Sequence, residues 1–109
     1  PLLEGGALDE AVTLLRTAVH HAPDNAGYHA ALGRALSRDP AAAREAIQEL
    51  DRATKLAPRD AAALADLAIL LNRQGLRLRA ERSLEAATRL APGHSRVVAA
   101  ASELGGQGS

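Results

Sequence analysis

The sequence predicts an all-α fold of about six short helices, stacked as hairpins into an α-solenoid. Three observations predict it. Ala, Leu, Arg and Glu dominate, and Tyr28 is the only residue among Phe, Trp and Tyr, so helix formers abound while strand formers are scarce. Apolar residues recur at i, i+3, i+4 and i+7 through most of the chain, the period of one helical face. An Ala-Pro ending returns at Pro23, Pro58 and Pro92, 35 and then 34 residues apart. A core without Phe, Trp or Met must be built from Leu and Ala, which implies closely packed helices.

In order, PLLEGG at 1–6 ends in a Gly pair, read as the end of one helix and a turn. Residues 7–22 carry Leu8, Ala11, Val12, Leu14, Leu15, Ala18, Val19 and Ala22 on one face, and Pro23 stops that helix. Asp24 or Asn25 caps a helix over 26–38, with Tyr28, Leu32, Ala35 and Leu36 inward. Asp39-Pro40 restarts the chain into a helix ending at 56, with Ala46, Ile47, Leu50 and Ala53 inward. Asp60 caps a helix over 61–73, with Leu64, Leu67, Ala68 and Leu71 inward and Gly75 closing it. A helix over 77–90 follows, with Ala80, Leu84, Ala87 and Leu90 inward, then Pro92-Gly93. Ser95 caps a last helix to 104, and GGQGS at 105–109 reads as a flexible tail.

Composition excludes several classes. Without Cys there is no disulfide or thiolate metal site. No apolar run is long enough to span a bilayer or act as a signal, so a cytoplasmic setting without membrane insertion is expected. Thirteen basic residues balance thirteen acidic ones, which argues against nucleic acid as the ligand. His20 and His21 are adjacent and point about 100° apart on a helix, so they cannot share a metal. His29 and His94 are isolated, and no phosphate loop, dinucleotide motif or HExxH is present. No enzyme activity, metal or cofactor is expected.

Aligned on their prolines, the segments share columns. Twelve residues before each Pro stand Ala11, Ala46 and Ala80; eight before, Leu15, Leu50 and Leu84; five before, Ala18, Ala53 and Ala87. In the leading helices Leu32-Gly33 aligns with Leu67-Ala68. A two-helix period near 34 resembles the tetratricopeptide repeat. Leu67, Ala68, Gly75, Ala80, Leu84, Ala87 and Pro92 fit one repeat of that pattern. Leu32, Gly33, Ala46, Leu50, Ala53 and Pro58 fit another with one extra turn residue, and Gly6, Ala11, Leu15, Ala18 and Pro23 fit the second half of a third. His29 and Leu64 stand where the family has its first large aromatic. The chain then divides into a partial repeat (1–25), repeats at 26–60 and 61–94, and a capping helix at 95–104. Small residues let the helices cross closely, and stacking makes the core. The register starts Pro1 in mid-helix, so the chain reads as the C-terminal fragment of a longer protein, with Ala11, Leu15 and Ala18 incompletely covered.

The resemblance implies a non-catalytic scaffold whose first helices line a concave groove for a partner peptide or helix. Its register places Arg34, Ser37 and Arg38 in the groove from one repeat, over Ala30 and Ala31. Asp66, Ile69, Asn72 and Arg73 come from the next, over Ala62 and Ala65, and Arg96 from the last helix, with Ala99 and Ala100. Arginine suits bidentate carboxylate capture, which points to an acidic or C-terminal peptide; solvated surface arginines are the plain alternative. The family's carboxylate-clamp subtype is not matched, since Arg34, Asp66 and Ile69 replace its Asn and Lys. Arg73, Arg77, Arg79 and Arg82 form a basic cluster, read as a solvated face because Glu81 and Glu85 interrupt it. The rival reading is a segment that self-associates, as a homodimer through the incomplete N-terminal repeat, or docks within a larger bacterial signalling or chaperone-like protein.

Overall fold

Local punctuation explains where the helices begin and end. Asn25 accepts the Tyr28 amide at 3.0 Å and opens α2 (Ala26–Leu36) after α1 (Leu2–His21). Asp39 accepts the Ala41 amide at 3.0 Å and opens a 3₁₀ turn, Pro40–Ala42, that leads into α3 (Ala43–Leu56). Asp60 accepts the Ala63 amide and opens α4 (Ala61–Arg73). Gly75, at φ +80°, ends α4: Leu76 N–H reaches Leu71 O at 2.9 Å and Gly75 N–H reaches Asn72 O at 3.0 Å. These are the two bonds of a Schellman cap, which needs a left-handed residue at that point. Then come α5 (Arg77–Leu90) and α6 (Ser95–Gly108).

This computed structural model describes residues 2–108, and among them there are six α-helices and no strand. The chain divides into two compact units, Pro1–Leu56 and Ala57–Ser109.

In the first unit α1 packs on α2 and α2 on α3. Its centre is the crossing of α2 and α3. A Cβ placed on Gly33 would lie 2.7 Å from Leu50 Cγ and 3.2 Å from the Ala46 carbonyl oxygen. Leu50 and Ala46 are fully buried, and Leu32, Leu36, Ile47 and Ala53 complete the apolar layer. Over residues 6–21 of α1 none is buried; Leu8, Ala11, Val12, Leu15, Ala18 and Val19 are half-buried and Leu14, expected on the inward face, is 67 % exposed.

In the second unit α4 packs on both α5 and α6. Ala61, Leu64, Ala65, Ala87, Val97 and Ala100 form its core, with Leu84 and Leu90 against them. Ala68 and Ala80, in the columns of Gly33 and Ala46, have no exposed surface. The small side chains thus sit at the close approaches, and apolar burial worth about 25 cal/mol per Å² does the rest.

The structure corrects four boundaries. Gly5 and Gly6 lie inside α1 rather than at a turn. Only Gly75 has a positive φ among the described glycines, so the pair weakens the helix without breaking it. The place of Gly6 as a hairpin turn is therefore lost, and Pro1 lies outside the described residues. Ser95 is the first residue of α6 and His94 caps it, Nδ1 accepting the Arg96 amide at 3.1 Å. α6 continues through Gly108, past Leu104, so 105–108 are helical and Ser109 lies outside the described residues. α2 also stops at Leu36, two residues short of Arg38, because Ser37 Oγ donates to Arg34 O at 2.6 Å and the chain turns toward Asp39.

The crossing makes opposite predictions for two helical glycines. Ala in place of Gly normally gains up to about 1 kcal/mol in a helix interior. Gly6, with nothing within 4 Å of where a methyl would stand, should show that gain as Gly6→Ala. Gly33→Ala should instead destabilise by about 1 kcal/mol and Gly33→Val by more, since Leu50 must move. Urea unfolding of the three variants reads the signs.

Candidate functional site

Four half-open residues break the burial of α4. Ala61, Ala63, Leu64, Ala65, Leu67, Ala68, Leu70 and Leu71 are buried, while Ala62, Asp66, Ile69 and Asn72 are partly exposed and Arg73 fully so. Spacings of three and four put them on one stripe. Beside it runs α6. Arg96 Nη1 lies 3.2 Å from Asp66 Oδ2, and Arg73 Nε lies 2.7 Å from Glu103 Oε1. Each pair spans 30 residues, so the two helices run parallel with their charges reversed: Asp then Arg on α4, Arg then Glu on α6.

The α4–α6 face therefore gathers five of the residues expected to line a groove: Asp66, Ile69, Asn72, Arg73 and Arg96. Two of its cations already hold carboxylates of their own unit. Glu103, which bonds Arg73 in a bidentate fashion, is the residue the sequence reading missed. A 34-residue period stepped back by one helical turn gives the separation of 30 and would have found it. Ile69 packs against the core cluster with part of its surface open. The Asn72 amide nitrogen is buried with no hydrogen-bond partner. Ala65 and Ala100, expected on the floor, are fully buried beneath it, whereas Ala62 and Ala99 face outward.

In the first unit, Arg34 is half-buried with its interactions made, Ser37 is turned onto Arg34 O, and Arg38 is exposed. Ala30, expected on the floor beside Ala31, is buried at 3 % exposure. Of the basic cluster expected at 73–82, Arg73 is paired with Glu103 and Arg77 with Glu81 at 2.8 Å.

A hollow of about 470 Å³ lies between α5 and α6, floored by Leu84, Ala101 and Leu104. Its rim carries the Arg77–Glu81 and Glu85–Arg89 pairs. Among the described residues no group of three His, Asp or Glu side chains is placed to hold a metal ion, and no helix is long and apolar enough to cross a membrane.

The polar contacts of the first unit lie across α1, α2 and α3. Arg16 of α1 grips Glu45 of α3 with both terminal nitrogens, Nη2 at 2.9 Å from Oε1. Arg52 Nη2 stands 3.5 Å from Asp24 Oδ1. Asp24 lies in the turn after α1, so the two contacts fasten α1 and the turn that follows it to α3. The hydrogen bond from Arg16 holds the Glu45 carboxyl below its usual range, and the same bond raises Arg16.

No protein-family model and no curated protein matches this chain.

The sign of the acid effect follows from Glu45. Its depressed folded-state value means that the pair contributes stability above the ordinary carboxylate range and loses it as pH falls through the folded value. Both partners are partly exposed, so the contribution is under about 1 kcal/mol. Urea titrations at pH 7 and pH 3 should show wild type more stable than Glu45→Gln at pH 7 and the two converging at pH 3.

Proposed function

We propose that the chain is a non-catalytic interaction module of the tetratricopeptide kind, a solenoid piece that holds a partner helix or extended segment against its first-helix faces. What supports the reading best is the α4–α6 face. Half-open Ile69 and exposed Ala99 lie between two ion pairs, with Ala62 a turn before the first, on helices that lie parallel as successive first helices of a repeat would. The Gly33 crossing and the equivalent Ala68 and Ala80 columns support the hairpin repeat itself. The neutral charge balance and the Arg73–Glu103 and Arg96–Asp66 pairs shape the partner chemistry. The partner inserts small apolar side chains along the stripe, and an acidic group engages Arg73 or Arg96 only by displacing Glu103 or Asp66. Arg34, Ser37 and Arg38 serve the corresponding face of α2.

A second reading, self-association or docking within a larger protein, is favoured by α1. None of its residues 6–21 is buried, and Leu14 is 67 % exposed. Light scattering separates the two, because concentration-dependent dimers abolished by Leu14→Glu support association through α1.

Peptides selected from a displayed library against the whole chain test the groove. Ile69→Glu should weaken selected binders at least tenfold with the helical signal and melting unchanged. Equal binding by wild type and Ile69→Glu would place the binding surface elsewhere.

A further inference from the structure

His29 lies one turn into α2, yet it is only 6 % exposed, and both ring nitrogens end on oxygen. Nε2 is 2.6 Å from the Pro23 carbonyl oxygen and Nδ1 is 2.8 Å from Glu49 Oε1 on α3. A carbonyl oxygen only accepts, so Nε2 carries hydrogen and donates it. In a neutral ring Nδ1 is then a bare lone pair. An ionised carboxylate also only accepts, and two lone pairs do not meet at 2.8 Å. The contact needs a proton of its own, on the ring as imidazolium or on Glu49 as carboxylic acid. Either way the pair holds one proton more than a neutral imidazole beside a carboxylate.

We propose that His29, Glu49 and the Pro23 carbonyl form a proton-dependent staple that fastens the α1–α2 turn and the start of α2 onto α3, and that releases as the solution becomes alkaline. The staple joins three segments through a single ring, since Pro23 belongs to the turn, His29 to α2 and Glu49 to α3. The charged groups around it lie on α3, on the turn and on α1. Glu45 and Arg52 flank Glu49 on α3; Glu45 is held by Arg16 of α1, and Arg52 stands by Asp24 of the turn. Arg16 also feels the charge of Glu49. These surface pairs do not supply the missing proton, because each already has its own partner.

The sign follows from the proton count. Above about pH 6.5 a free imidazole in the unfolded chain is neutral, so the folded unit binds the extra proton and the unfolded chain does not. Stability that depends on this proton is full at lower pH and falls as pH rises, with a slope of at most one proton, or about tenfold in the unfolding equilibrium per pH unit. Once the proton leaves, two lone pairs face each other in a site with little access to water.

Tyr28, next to His29 and the only tyrosine, reports on this unit by fluorescence. Urea unfolding of the full chain is followed at pH 6, 7 and 8.5 for wild type, Glu49→Gln and His29→Gln. Wild type should lose stability with rising pH, by up to tenfold in the equilibrium constant per unit. Glu49→Gln should flatten the profile while keeping the contact, because an amide N–H donates to the bare Nδ1 without an added proton. His29→Gln should flatten it as well. Proton uptake gives a second readout: unfolding wild type in weak buffer at pH 7.5 should release about one proton more than unfolding either variant. A wild-type profile that is flat from pH 6 to 8.5, or one parallel to that of Glu49→Gln with equal proton release, overturns the proposal. Should both variants fail to fold, the wild-type slope decides alone.

Discussion

The close crossing of paired helices is the constraint on which the rest depends. A chain with one aromatic residue and no Met has little bulk with which to fill gaps. It can reach the packing density of a protein interior only by bringing backbones together. Gly33 against Leu50 and the Ala46 carbonyl does this in the first unit. Ala68 and Ala80, both without exposed surface, hold the matching columns in the second. The cost of enlarging such a site outweighs the helix propensity that a methyl would add, which is why glycine persists in the middle of α2.

That constraint also explains what the sequence made legible. The limits of α4 and α5 follow from an Asp60 cap, a glycine at positive φ and a returning Pro92, all of which act within a few residues. The errors came where a local signal has two physical outcomes. Gly5-Gly6 can turn a chain or ride within a helix, and with α1 packed along α2 it rides. His94 and Ser95 both offer a capping acceptor, and the imidazole nitrogen takes the Arg96 amide. For the candidate site, α4 was legible as a stripe because its period is set by the helix itself. The fate of Arg73 and Arg96 was not, because it depends on the register between α4 and α6, which only the packed unit fixes. The His29–Glu49 contact was hidden for the same reason: 20 residues separate the partners, across a helical hairpin.

Charge balance and packing turn out to be linked. The contacts between α4 and α6 run at a separation of 30, one helical turn short of the 34-residue sequence period, so each position on α4 faces one a turn earlier in the next period. Opposite charges meet in that register, Asp66 and Arg73 on α4 facing Arg96 and Glu103 on α6. Arg16 and Glu45 do the same between α1 and α3. A chain that pairs its charges from helix to helix tends toward equal numbers of each sign, as the thirteen and thirteen here show. Each pair is exposed and worth little in stability, under about 1 kcal/mol. Its larger effect is on register, since sliding one helix by a turn would separate Asp66 from Arg96 and Arg73 from Glu103 together. The same pairing leaves the α4–α6 face without a strong field of either sign. A surface of that kind attracts little by charge at long range. On the function proposed above, a partner would be recognised there by short-range fit to Ile69 and Ala99, with the ion pairs bounding the footprint rather than drawing the partner in.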